Sequence, residues 1–124
     1  VLPAFPRKVG IVTSPTAAAL HDVIEVSRRR FPSAKWILSP TRVQGAGAEA
    51  EIAKALRDLY ELHARAPLDV ILLVRGGGSL EDLYPFSTEI VARTVAQSRA
   101  KPCCTVPPRR SSADVAPPRR CGAG

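Results

Sequence analysis

The string Arg75-Gly76-Gly77-Gly78-Ser79-Leu80-Glu81-Asp82-Leu83 gathers residue types suited to holding an anion. Three adjacent glycines carry no side chains that would keep an anion off the main chain, so their N–H groups can converge on a phosphate. Arg75 beside them supplies a fixed positive charge and a bidentate fork. Ser79 stands at the expected N-cap of a short helix carrying Glu81 and Asp82 in its first turn. On the residues alone two readings compete, a phosphate cradle and a flexible strand-to-helix turn with a surface arginine. A second anion-friendly stretch is Ser14-Pro15-Thr16, where Ser14 is expected to cap free N–H groups and Pro15 to take the first helical position. A P-loop is excluded, because no Gly-Lys-Ser/Thr follows the glycines.

The elements that must position these residues are legible from hydrophobic pattern. Val70 to Val74 is an unbroken apolar run, which predicts a strand buried on both faces, hence a central parallel strand. Lys8 to Thr13 and Lys35 to Ser39 read as two further strands. Between them Leu20, Val23, Ile24, Ser27 and Phe31 recur at helical spacing and predict one buried stripe, ended by Pro32. Arg28, Arg29 and Arg30 fall in its last turn, where cations suit the helix dipole and Glu25 can pair with Arg29; this account is favoured over DNA binding. His21 and Asp22 on the same helix read first as a solvated face. Ala48 to Ala66 predicts a long helix with Ile52, Ala55, Leu56, Leu59 and Leu62 inward, and Thr88 to Gln97 a third through Ile90, Val91, Thr94 and Val95. The run Gly45 to Ala50 fits G-x-G-x-x-A, but it lies too far from its strand and follows the wrong one, so it reads as a glycine-rich helix start.

Strands alternating with helices predict an α/β, Rossmann-like, doubly wound three-layer domain with a short parallel sheet. Strand order 2-1-3 would put a switch point between the first and third strands, where ligands of such sheets bind. Both anion-friendly stretches converge there, which raises the phosphate reading.

Composition bounds the rest. The 124 residues form one domain at most, with 18 Lys plus Arg against 11 Asp plus Glu and a net charge of +7, which favours a polyanionic partner. Residues 101–124 carry four of those seven charges and all three cysteines, Cys103, Cys104 and Cys121. The cysteines show neither metal-ligand spacing nor a disulfide framework. No membrane span or signal peptide is evident, so a soluble, cytoplasmic setting is expected. Residues 99–124, with two Pro-Pro pairs and two Arg-Arg pairs, are expected to be disordered, so the domain is expected to be truncated before its fourth strand. A basic nucleic-acid tail and out-of-frame translation both remain open for this segment.

The residues also carry a resemblance. Lys8 to Asp22, Arg28 to Pro32, Pro40-Thr41 with Val43-Gln44-Gly45, and Asp69 to Leu83 with its RGGGSLEDL core resemble the catalytic domain of the exonuclease VII large subunit. The match runs over roughly residues 3 to 98. The resemblance implies a hydrolase that degrades single-stranded DNA to oligonucleotides in DNA catabolism, with a small subunit as partner. It implies residues 1–7 as a linker from an N-terminal OB-fold and residues 8–98 as a partial catalytic domain. A C-terminal coiled coil that engages the small subunit would lie elsewhere. Carried across, the catalytic aspartate falls on Asp22 and the catalytic arginine on Arg75. Ser14, Thr16, Gln44, Gly76, Gly77, Gly78 and Ser79 are expected to contact phosphate or DNA. No cofactor is fixed by the resemblance, and Mg²⁺ stays open. The family's Gly-His-Glu-Thr-Asp segment has no counterpart here, and Ala17 stands where the family usually has glycine. This chain is therefore expected to be impaired or inactive, the alternative being a phosphate- or nucleotide-binding module without catalysis.

Overall fold

A computed structural model of the chain describes residues 3–75 and 83–98 and the backbone of 103–106. The elements run β1 (Lys8–Thr13), α1 (Ala18–Arg30), β2 (Lys35–Pro40), α2 (Ala48–Arg65), β3 (Val70–Val74), a 3₁₀ turn (Tyr84–Ser87), α3 (Glu89–Ala96) and β4 (Cys103–Val106). The strands form one parallel sheet in the order β2-β1-β3-β4. The fold is α/β and Rossmann-like, and the order β2-β1-β3 sets the expected switch point between β1 and β3.

β4 corrects one expectation. A fourth strand does follow the third helix: Cys103 to Val106 pairs in register with Ile71 to Val74. The Pro and Arg content around it hid the strand, and four residues are too few for a periodic signal. Its pairing comes from the exposed main-chain edge of β3, with Thr105 and Val106 suited to a pleated surface. The remainder of the segment expected to be disordered lies outside the described residues.

The largest buried cluster sits on one face of the sheet, while Val9, Ile11, Val70 and Val74 are buried on the other. Val12, Ile71 and Leu73 meet Ile52, Ala55, Leu56 and Leu59 of α2 and Val91 of α3. Most of the α2 residues expected inward are buried, with Leu62 packed at the margin. Right-handed crossovers put α1 alone on the opposite face, because β1 to β2 runs across the sheet in the reverse direction from β2 to β3 and β3 to β4. With no neighbouring helix among the described residues to seal it, the α1 stripe is only half-buried, and none of its residues is fully buried. The expectation of a buried stripe is corrected to that extent.

Two devices fix the ends of the strands. At the amino end, Asp69 Oδ2 accepts hydrogen bonds from the main-chain N–H groups of Arg7 (2.7 Å) and Lys8 (2.9 Å), which ties β3 to β1. At the start of α2, Gly45 and Gly47 have φ of 91° and 80°, a left-handed conformation that glycine adopts at low cost. The glycine-rich run is thus a helix start, as expected.

Candidate functional site

A cleft of about 540 Å³ opens at the carboxyl ends of β1, β2 and β3. Ser14 and Thr16 line it from the turn after β1, Ala17, Ala18 and Ala19 from the start of α1, and Arg42, Val43 and Gln44 from the loop after β2. Arg75, the first residue beyond β3, completes it. This is the switch point of the sheet, and its size suits a small polar ligand.

The turn after β1 corrects a second expectation. α1 begins at Ala18, not at Ser14, and its N-cap is Ala17 in extended conformation with no side-chain cap. The intervening residues form a tight turn closed by Ala17 N–H to Ser14 O (3.1 Å). The Ser14 and Thr16 hydroxyls lie 3.1 Å apart, bonded to each other at the cleft. The main-chain turn satisfies the donor that Ser14 was expected to cap. The hydroxyls are left at the cleft surface, where each keeps capacity for a ligand oxygen.

Arg75 is 4% exposed, at the end of a strand whose last residue, Val74, is 1% exposed. Burying a guanidinium is costly, so the β3 terminus fixes this cation in a low-dielectric wall where its field on a ligand is strong. Thr13, also buried, ends β1 nearby, and its Oγ1 has no hydrogen-bond partner among the described residues. Arg42 was not among the residues expected at the site, although its position just past β2 was a signal. Its guanidinium is held by Glu51 of α2, with Nε donating to Oε1 at 3.0 Å and Nη2 reaching the same oxygen. The Arg42 hydrogen bond holds the Glu51 carboxyl below its ordinary range, and Glu51 in turn raises the Arg42 pKa. The pair neutralises Arg42 at the mouth of the cleft.

The site residues expected from sequence therefore divide. Ser14, Thr16, Gln44 and Arg75 come together at the cleft. Asp22 does not line it; it is exposed on α1, three and four residues after the lining Ala19 and Ala18. That spacing keeps Asp22 on the cleft-facing stripe, one turn further along. Gly76, Gly77, Gly78 and Ser79, with the short helix expected after them, lie outside the described residues. Among the described residues the cleft lining supplies hydroxyls, an amide and guanidinium groups but no carboxylate, the ligand type that most often anchors Mg²⁺. Among the described residues no group of three or more His, Cys, Asp and Glu is clustered to hold a metal.

Comparison with known proteins bears on the same segments. The sequence model of the family described as "Exonuclease VII, large subunit" matches residues 1–105, from the lead-in through most of β4. The chain belongs to the exonuclease VII large-subunit family. Over 98 residues it is 54% identical to the exodeoxyribonuclease 7 large subunit of Syntrophotalea carbinolica, covering 79% of this chain and 24% of that protein. It is 55% identical over 94 residues to the Moorella thermoacetica protein of the same name, covering 76% and 23%. Against that of Thioalkalivibrio sulfidiphilus it is 53% identical over 94 residues, covering 76% and 20%. The chain thus spans about a quarter of the length of these curated relatives. Among the described residues, no helix is long and apolar enough to cross a membrane.

Proposed function

We propose that the cleft is the phosphate-binding part of a site that hydrolyses single-stranded DNA to oligonucleotides, and that residues 1–124 by themselves bind the strand without cutting it. The observation that carries the first half is Arg75, a nearly buried guanidinium lining a cleft at the sheet's switch point beside two hydroxyls and the Gln44 amide. Such a wall stabilises charge that builds on a phosphoryl oxygen as a nucleophile adds. Gly76, Gly77, Gly78 and Ser79 would add main-chain donors to the same oxygen. Asp22, one turn from the cleft on the facing stripe, would orient a water or a basic partner; its Cβ tilts toward the amino end of α1, where the cleft lies.

The second half rests on what the lining lacks. Among the described residues that line the cleft there is no carboxylate, imidazole, thiol or lysine. Phosphodiester cleavage also needs proton transfer to the leaving oxygen, and a positioned acid or base contributes ~10²- to 10⁴-fold. The Gly-His-Glu-Thr-Asp segment expected of the family would supply it, and His21 and His63 line no part of this cleft. In the whole protein the exonuclease VII small subunit would be the partner, single-stranded DNA the substrate and the cytoplasm the setting.

The test is a short end-labelled single-stranded oligonucleotide incubated with the chain, with and without Mg²⁺, beside Asp22→Ala and Arg75→Ala. Binding without product formation is expected, with affinity falling steeply as salt rises and most of it lost in Arg75→Ala. Shortened oligonucleotides from the parent but not from either variant would overturn the binding-only reading. Unchanged binding by Arg75→Ala would remove the cleft from the account.

A further inference from the structure

The strongest concentration of cations on the described surface is at the other end of the sheet. Arg7 and Lys8 enter β1 there, Lys35 enters β2, and α1 delivers Arg28 and Arg30 to the same end as it runs back to β2. Lys8 and Lys35 occupy register-paired positions on adjacent parallel strands, so two ammonium groups emerge from one face about 5 Å apart in main chain. Like charges in directly opposed positions destabilise a sheet. Together with Arg7 and Ser33 they line a cleft of about 440 Å³. Arg7, Lys8, Arg28, Arg30 and Lys35 form no ion pair among the described residues, as Arg57 and Arg65 on α2 also do not, whereas the exposed cations Arg29, Arg42, Lys54 and Arg93 each do. Asp69, an acid at this end of the sheet, is engaged by the main-chain N–H groups of Arg7 and Lys8. The lead-in is seated here by the edge-to-face contact of Phe5 with Phe31, ring centroids 6.2 Å apart, which closes the chain around the end of α1.

Helix-dipole pairing explains arginines at the end of α1 but not lysines opposed across β1 and β2, nor the lack of acidic partners. We infer that the amino end of the sheet is a second contact surface for single-stranded nucleic acid, engaging backbone phosphates distant from those in the Arg75 cleft. The inference rests on the proposed DNA substrate. The two surfaces are separated by the length of a six-residue strand, about 20 Å at ~3.3 Å per residue. A dinucleotide cannot bridge them, but an oligonucleotide of about twenty residues can, so the basic end grips strand beyond the site of chemistry. Arg7, Arg28, Arg30 and Lys35 are exposed and Lys8 is half-buried, as sequence-independent phosphate contacts by surface side chains require.

The experiment uses the full chain, a fluorescein-labelled twenty-residue oligothymidylate and a labelled thymidine dinucleotide, read by anisotropy across a salt series. One triple variant is Arg28→Ala, Arg30→Ala and Lys35→Ala. A control triple, Lys54→Ala, Arg57→Ala and Arg93→Ala, removes the same formal charge from the outer faces of α2 and α3. All six side chains are exposed, and circular dichroism checks that both variants fold. The amino-end triple is expected to weaken oligonucleotide binding at least ~10-fold at low salt, and to reduce the log–log salt slope by about 2, since each single-strand phosphate contact contributes ~0.7. Dinucleotide binding should stay at the parental level, and the control triple should change oligonucleotide binding less than ~3-fold. Parental oligonucleotide binding by the amino-end triple, or an equal loss in the control triple, overturns the inference. Arg75→Ala separates the two readings: if it abolishes dinucleotide binding while the amino-end triple has no effect, the cleft stands and the second surface falls. If it leaves dinucleotide binding unchanged while the amino-end triple still loses oligonucleotide, the reverse holds.

Discussion

Substitution of Gly10 probes how tightly α2 is seated on the sheet and, through it, how firmly the cleft is held. Gly10 is buried in β1, and a Cβ there would come within 3.0 Å of Leu59 Cδ1, 3.1 Å of Leu68 Cδ1 and 3.4 Å of Leu59 Cδ2. Carbon atoms in good contact sit near 3.5–4.0 Å, so both leucines would have to retreat by roughly half an ångström. They have little room, being 2% and 3% exposed in one cluster with Leu56, Ile71 and Val12. Overpacking costs ~1–3 kcal/mol, while replacing glycine by alanine returns ~0.4–1 kcal/mol through the unfolded chain. Gly10→Ala is therefore expected to destabilise by about 1 kcal/mol and Gly10→Val, with two further methyl groups, by about 3 kcal/mol. Equilibrium urea unfolding would read both as a lower midpoint at constant slope. An alanine variant at least as stable as the parent would show that Leu59 and Leu68 can move aside. A valine variant of parental stability would refute close seating of α2 altogether.

The Arg42–Glu51 pair gives a pH-dependent prediction. Glu51 is depressed by the Arg42 hydrogen bond, so any stability from the pair is present above the unfolded carboxyl pKa and is lost as pH falls through the lower folded value. Glu51→Gln is expected to free Arg42 and tighten dinucleotide binding a few-fold at neutral pH, the gap to the parent closing as acid protonates Glu51 in the parent; a gap independent of pH would refute it. His63 offers a structural test: its Nδ1 accepts the Leu68 N–H at 2.9 Å, where Leu68 is 3% exposed. His63→Ala strands that donor and should cost ~1–3 kcal/mol by the same urea assay, whereas a loss below about 0.5 kcal/mol would mean that solvent replaces the imidazole.

Agreement between sequence and fold was best where one residue pattern had one physical outcome. The run Val70 to Val74 predicted a strand covered on both faces, and four of its five residues are buried. Ile52, Ala55, Leu56 and Leu59 at helical spacing predicted the inner face of α2, and all four are buried. The α1 stripe had the same kind of spacing but a different result, because a pattern marks which side of a helix is apolar without fixing how many neighbours arrive to cover it. Ser14-Pro15-Thr16 looked like a helix cap and proved to be a turn of its own, since capping residues and turn residues are the same few types and only the path of the chain separates them.

From the sequence alone came the α/β class, the three first strands and their order, the family resemblance, and the choice of Ser14, Thr16, Gln44 and Arg75, which the fold brings to one cleft. Each depends on local periodicity or on a contiguous string, which survives in one dimension. The tertiary structure decided the burial of Arg75, the holding of Arg42 by Glu51, the distance of Asp22 from the cleft wall and the existence of β4. It also brought Lys8 opposite Lys35 at the basic end of the sheet. Most of these join residues that are not neighbours in the chain. Burial is fixed by what packs on a residue from elsewhere, and a four-residue strand is fixed by the open edge it finds, so neither is written in the residues themselves.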